Sequence, residues 1–231
     1  MAVDDSNTKA LLHMDGADAS TTFTDESGKT WTPAGSAQID QGFQKFGTGS
    51  GMFNGSSDYL TTPDSTDFDL GEVWTIDFWV RFNSRTGNQC FLHQYEGGLR
   101  FYTFRIDATN NNLRMRFYYG AEYGQWVTST NPTINTNTWY HIAYVRNGAS
   151  RYIFLDGVSQ ALTTVNAHVG NITLAGQANL ARNQDLGGEY INGWIDEFRL
   201  SKGIARWTAN FTPPTSAYGI VPSTGAFFQF L

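Results

Sequence analysis

Residues 73–83 read VWTIDFWVRFN, and their alternation decides the fold class. Trp74, Ile76, Phe78, Val80 and Phe82 fall on one side of an extended chain, and Thr75, Asp77 and Arg81 on the other. Successive strand residues point to opposite faces, so a period of two predicts a strand half buried in a sheet. The same pattern recurs at 99–107 (LRFYTFRID) and 112–119 (NLRMRFYY), and the polar stretch DATNNN between them predicts a hairpin. A second pair follows at 138–147 (TWYHIAYVRN) and 151–160 (RYIFLDGVSQ), joined through Asn147-Gly148-Ala149-Ser150. Asp156-Gly157 predicts a further tight turn, because glycine takes a positive φ at little cost. Later strands are expected at 178–183 and 190–200, and earlier ones at 9–14 and 50–61. No long segment has a period of 3.6; at most a short helical turn is expected at Gly203–Trp207. The pattern predicts an all-β, two-sheet antiparallel β-sandwich.

Composition agrees. The 231 residues fit one large sandwich, and 17 Phe, 11 Tyr and 7 Trp supply its core. Net charge is −6, which argues against a phosphate-binding face and hence against nucleic acid. The local group Arg100, Arg105, Arg114 and Arg116 reads as outward-facing strand residues. The lone cysteine, Cys90, lies in an apolar run and reads as a buried strand residue; it permits no intramolecular disulfide. The start, Met1-Ala2-Val3-Asp4-Asp5, lacks the basic and apolar regions of a signal peptide, and no apolar run is long enough for a membrane span.

Several motifs then occur in order. They are Leu11-Leu12-His13-Met14-Asp15-Gly16, the stretch Phe46 to Gly55 (FGTGSGMFNG) with Tyr59-Leu60, and Trp74 to Val80. Trp139-Tyr140-His141-Ile142-Ala143, Ile153-Phe154-Leu155-Asp156-Gly157 and Gly193-Trp194-Ile195-Asp196-Glu197-Phe198-Arg199-Leu200-Ser201 follow. Together they resemble the laminin G-like, or concanavalin A-like, lectin/glucanase jelly roll over about residues 9–217. The run Ile204 to Pro214 (IARWTANFTPP) resembles bacteriophage versions of this domain, which occur in virion surface, tail-fibre and decoration proteins. The resemblance implies a jelly roll over 1–217. The segment 218–231 is then either a final strand or tail on the sandwich or an arm docking on a neighbouring subunit.

The resemblance also implies a structural calcium ion, held by Asp196 with Asp15 and the Gly47–Gly49 segment; calcium prefers several hard oxygen ligands. Asp15, Asp18 and Asp25, and likewise Asp64, Asp67 and Asp69, otherwise read as solvated turn residues. A glycan site would need exposed aromatic faces beside polar groups. Tyr118, Tyr119, Tyr123 and Trp126, in the Gly-containing stretch 117–127 with a loop read over Tyr119–Trp126, supply the first, Arg116 and Asn111 the second, and Tyr95 and Tyr102 could approach across strands; alternation alone would equally send half of these aromatics into the core.

Catalysis is not expected. Glucanases of this fold carry a Glu-x-Asp-x-x-Glu strand, and no such string occurs among Glu26, Glu72, Glu96, Glu122, Glu189 and Glu197. The doublet Asp196-Glu197 would split across the two faces of a strand. His141 shares the parity of Trp139, Ala143 and Val145 and reads as an interior histidine. The leading expectation is a non-enzymatic virion surface protein, capsid decoration or tail fibre. It would be made in the host cytoplasm, form a homo-oligomer, dock to other virion subunits and carry weak glycan adhesion. The alternative is a free carbohydrate-binding module, followed by a divergent glycoside hydrolase.

Overall fold

The structure, a computed structural model, describes residues 6–167, 170–185 and 187–219. The described residues form sixteen strands. In chain order these are β1 (Thr8–Leu12), β2 (Thr32–Ala34), β3 (Gln38–Asp40), β4 (Ser50–Asn54), β5 (Tyr59–Thr62), β6 (Val73–Phe82), β7 (Gln89–Gly97) and β8 (Arg100–Ile106). They continue with β9 (Leu113–Tyr119), β10 (Glu122–Thr128), β11 (Trp139–Asn147), β12 (Ser150–Leu155), β13 (Val158–Ser159), β14 (Leu162–Asn166), β15 (Ala178–Leu180) and β16 (Asn192–Lys202). The first sheet runs β13-β12-β11-β6-β16-β4-β3, with β1 also on β16; the second runs β14-β10-β9-β8-β7-β15-β5-β2. Every strand pairing is antiparallel, so the sandwich is as expected. No helix among the described residues is long and apolar enough to cross a membrane.

The alternating residues of β6 build the core. Trp74, Ile76, Phe78, Val80 and Phe82 are all fully buried. Trp74 packs edge-on against Phe104 of the facing sheet at 5.4 Å, and Phe78 lies 4.7 Å from Phe91. Each such side chain contributes about 1.5–3 kcal/mol relative to exposure. The other face of β6, expected in solvent, is buried too: Thr75 and Asp77 have no exposed surface and Trp79 only 5%. The segment after β16 lies over it. Trp207 and Phe211 stack at 4.0 Å and enclose His141, and the Thr75 hydroxyl donates to the Ile204 carbonyl at 3.1 Å. Residues 203–207 are therefore irregular cover rather than the expected helical turn; the helical geometry is a 3-10 turn at Thr66–Phe68. Gly157 explains how the cover fits. Its φ of 75° completes the β12–β13 turn, and any Cβ would strike the Phe211 carbonyl.

Other expectations shift in detail. The 50–61 stretch is two strands in different sheets, because Gly55 to Asp58 turn the chain. The loop read over Tyr119–Trp126 is the β9–β10 hairpin, turning at Gly120-Ala121. Asp25 is not solvated: it is 7% exposed and accepts from Leu11 N, Ser27 N, the Ser27 hydroxyl and Trp31 Nε1. Cys90 is buried as expected, and burial pushes its thiol well above the ordinary range. The tail beyond Gly219 and His168 lie outside the described residues.

Candidate functional site

The outer face of the second sheet carries two parallel rows of side chains. Register sets them. Tyr95 opposes Phe101, Phe101 opposes Tyr118, and Tyr118 opposes Tyr123, so β7, β8, β9 and β10 contribute one ring each. Phe101–Tyr118 and Tyr118–Tyr123 both stack at 4.8 Å, with interplanar angles of 21° and 16°. Two positions along each strand lies a polar row, in which Asn179, His93, Thr103, Arg116 and Gln125 are successive cross-strand partners. The guanidinium of Arg116 reaches back over the rings of Tyr118 (5.1 Å) and Phe101 (5.7 Å).

The polar row has unspent hydrogen-bonding capacity. His93 Nδ1 accepts from the Gln184 amide at 3.1 Å, which places the proton of a neutral ring on Nε2. Burial, then the charges of Arg182 and Arg116, hold this imidazole down to about 3, so it is neutral at physiological pH. His93 Nε2, Asn179 Oδ1, Arg116 Nε and Arg182 Nε are all buried with no hydrogen-bond partner among the described residues. Buried polar atoms are ordinarily paired, so four uncommitted ones on a single face mark a place for a polar ligand. Phe101 is 4% exposed, so Tyr95, Tyr118 and Tyr123 are the accessible rings of the row; apolar ring surface beside such groups suits a saccharide, which presents C–H groups on one side and hydroxyls on the other.

Four of the expected residues, Tyr95, Tyr118, Tyr123 and Arg116, meet here. Tyr119 does not join them: it shares the parity of Phe117 and Met115 and packs half-buried against the core, with the Arg100 guanidinium 4.3 Å over its ring. Trp126 does not belong: it is 6% exposed and packs in the core against Phe117. Tyr102 is fully buried in the core for the same reason of parity. Asn111 accepts from Arg85 at the opposite hairpin end. His93 and Phe101 are additions that the sequence reading missed. Of the arginine group, Arg105 and Arg114 share Asp107, at 3.2 Å and 2.5 Å.

The residues nominated for calcium converge on one loop, 45–49. Asp196 Oδ2 accepts from the amides of Lys45 (2.8 Å) and Phe46 (3.0 Å), and Asp15 Oδ1 accepts from those of Thr48 and Gly49. Gly47 packs directly on the Asp15 carboxylate. The loop thus shows amides rather than carbonyls to both acids. One observation fits a hard cation: Asp196 Oδ1 is a buried acceptor with no donor among the described residues. No three acidic, imidazole or thiol side chains cluster there among the described residues, so further ligands would be carbonyls or water. Burial raises the Asp196 carboxyl to about 8.

Asp196 and Glu197 do not split across the sheet. A bulge between Asp196 and Arg199, with Glu197 at φ 52°, turns both acids to the outer side of the first sheet. Both are fully buried. Glu197 accepts from Tyr218 N at 2.8 Å and meets His13 Nδ1 at 2.9 Å. The hydrogen bond to Glu197 outweighs burial and raises His13 above its ordinary 6.5. A histidine whose folded value exceeds its unfolded one stabilises fully below about pH 6.5 and loses that contribution as pH rises through the folded value. Thermal unfolding should therefore occur at lower temperature near pH 9 than near pH 6. Asp196, also raised, tilts the curve the same way, so the comparison with His13→Gln isolates the histidine. An unchanged pH slope in that variant would count against this assignment.

A cleft of about 500 Å³ on the first sheet, between Lys45, Trp79, Trp139 and Pro213, is a weaker candidate. Lys45 Nζ already sits 3.9 Å over the Trp79 ring, leaving little open aromatic face.

Comparison with known proteins agrees with this architecture. Residues 54–206 match the family model described as the Concanavalin A-like lectin/glucanases superfamily. No curated protein matches the sequence. Among solved structures, domain 4 of AbnA, a GH43 extracellular arabinanase from Geobacillus stearothermophilus, solved in complex with arabinotriose, aligns with a TM-score of 0.66 at 18% identity, covering 86% of this chain and 94% of that one. The botulinum neurotoxin serotype C1 binding domain aligns with a TM-score of 0.63 at 13% identity, covering 84% of this chain and 48% of that one. The binding domain of botulinum neurotoxin DC in complex with SialylT aligns at 0.60 and 14%, covering 85% and 48%. The chain thus spans about half the length of these toxin domains. At identities this low the likeness shows the fold alone.

Proposed function

Because the chain belongs to the concanavalin A-like lectin/glucanase superfamily, we propose that it is a non-catalytic carbohydrate-binding protein whose site is the outer face of the second sheet. The observation that carries this reading is the aromatic row Tyr95, Phe101, Tyr118 and Tyr123 beside buried, uncommitted polar atoms. That the solved relatives include a domain bound to arabinotriose supports it. Absence of catalysis is supported by the engagement of the acids that border the arginines of this sheet. Asp107 is engaged by Arg105 and Arg114, and Glu189 by Arg105, Asn88 and Asn183, which leaves neither carboxylate open to a glycosidic bond. The doublet Asp196-Glu197 is sealed from solvent. The test is a glycan array probed with the folded chain: saccharide binding is expected, and an array with no binder sinks the reading.

The narrower assignment, a bacteriophage virion surface protein working as capsid decoration or tail fibre, rests on the resemblance of residues 204–214. Their packing over Thr75 and His141 gives that motif a structural role. In this proposal the chain is made in the host cytoplasm, assembles as a homo-oligomer and docks on other virion subunits, and repeated weak glycan contacts gain strength from multivalency. Light scattering should then report an oligomer at micromolar concentration; a monomer opposes it. Calcium belongs to the same proposal, with Asp196, Asp15 and carbonyls of Gly47 and Gly49 as its oxygen donors, fixing the 45–49 loop to β16. Millimolar calcium should raise the melting temperature of the wild type and not of Asp196→Asn. No shift in the wild type removes the ion from the account.

A further inference from the structure

We propose that this face selects acidic saccharides, carrying a carboxylate or sulfate, through Arg116, Arg182 and the Nε2–H of His93. The inference rests on the saccharide reading of the platform and narrows its ligand class.

Three observations carry it. First, the uncommitted nitrogens are all donors. His93 Nε2 must carry the ring proton because Nδ1 accepts from Gln184, and guanidinium nitrogens have no acceptor capacity. Second, neither Arg116 nor Arg182 has a carboxylate within ion-pair distance among the described residues, although the chain carries a net charge of −6. The nearby acids are spent on other partners: Arg105 Nη1 takes Glu189 at 2.5 Å, and Arg114 takes Asp107. Third, both free guanidinium groups are held in place by aromatic rings. Arg116 lies over Tyr118, and Arg182 lies 4.3 Å over Tyr59. Cation–π seating orients the fork before a ligand arrives, so less side-chain freedom is lost on binding.

Position brings the three together. His93 stands between Asn179 and Thr103 in the polar row, with Arg116 one strand further along. Arg182 follows the end of β15, the strand that pairs with β7 beside His93. The downward pull of both arginines on the His93 imidazole agrees with that proximity. A sugar hydroxyl would satisfy one donor. A carboxylate or sulfate offers several acceptor sites and adds charge, and charge-assisted hydrogen bonds are about twice as strong as neutral ones.

The experiment is a titration of the full chain with matched pairs differing only in the acid. Suitable probes are oligogalacturonate against its methyl ester, and sialyllactose against lactose. The expected result is that the acidic member of at least one pair binds about tenfold tighter, that this preference shrinks with added salt, and that it falls in Arg116→Gln and in Arg182→Gln. Arg116→Lys should restore part of it, which loss of folding would not allow. Equal affinity for both members of each pair, or a preference indifferent to salt and to both arginines, overturns the charge selection while leaving the saccharide platform standing. A chain that binds no saccharide of either kind overturns both.

Discussion

Asp77→Ala should cost about 3–5 kcal/mol of stability, a large fraction of the about 5–15 kcal/mol a typical domain possesses. Asp77 has no exposed surface, and Arg199 grips it with two bonds, Nε to Oδ1 at 3.0 Å and Nη2 to Oδ2 at 2.8 Å. His141 Nε2 stands 3.5 Å from the same carboxylate and 3.1 Å from the Tyr218 hydroxyl. Burial alone would push the Asp77 carboxyl up, but the Arg199 charge and the bonds from His141 and Arg199 outweigh it and hold it far below the usual range. Removing the carboxylate would leave the Arg199 charge, 2% exposed, buried without it. The loss reaches further than one strand, because Arg199 also supports the Tyr218 ring at 3.9 Å and so ties down the segment that covers β6. Sign matters for acid: a carboxyl with a depressed folded value stabilises above about pH 3.8 and loses that as pH falls through the folded value. Urea unfolding of wild type and variant at neutral pH measures the difference; a change under about 1 kcal/mol would show that the pair contributes no more than a surface contact.

How much of this was legible in the sequence depends on distance along the chain. The inner face of β6 was readable because five large apolar residues repeat every second position. Its outer face was misread because the cover, Ile204 to Tyr218, lies more than a hundred residues away, and periodicity carries no information about what lands on a strand. The bulge at Glu197 was invisible for a different reason: a glutamate at positive φ is not signalled by its residue type. Tyr118 and Tyr123 could be found beside Gly120. Phe101 and His93 could not, since they join the site through cross-strand register, which is a property of pairing. Trp126 was within reach. Closing the hairpin across Gly120-Ala121 pairs Tyr119 with Glu122, and counting by twos then sends Trp126 inward with Phe117 and Met115.

That parity makes the second large effect a contrast between Trp126 and Tyr118, which flank the same Gly120-Ala121 turn but lie on opposite faces of the sheet. Trp126→Ala should destabilise the fold by about 3–5 kcal/mol, as truncation of a buried tryptophan does. Its folded fraction should keep its saccharide affinity. Tyr118→Ala should do the reverse. Tyr118 is half-buried at the centre of the ring row, stacked on both Phe101 and Tyr123 and beneath Arg116, so its removal breaks the row in two and frees the guanidinium. A central aromatic anchor is worth at least about 2 kcal/mol of binding, or about 30-fold in affinity. Calorimetric titration of wild type and folded Tyr118→Ala with the saccharide that binds the wild type best tests the platform most directly. The account expects a loss of about 30-fold or more with the melting transition nearly unchanged; equal affinity in the two proteins would place the site elsewhere.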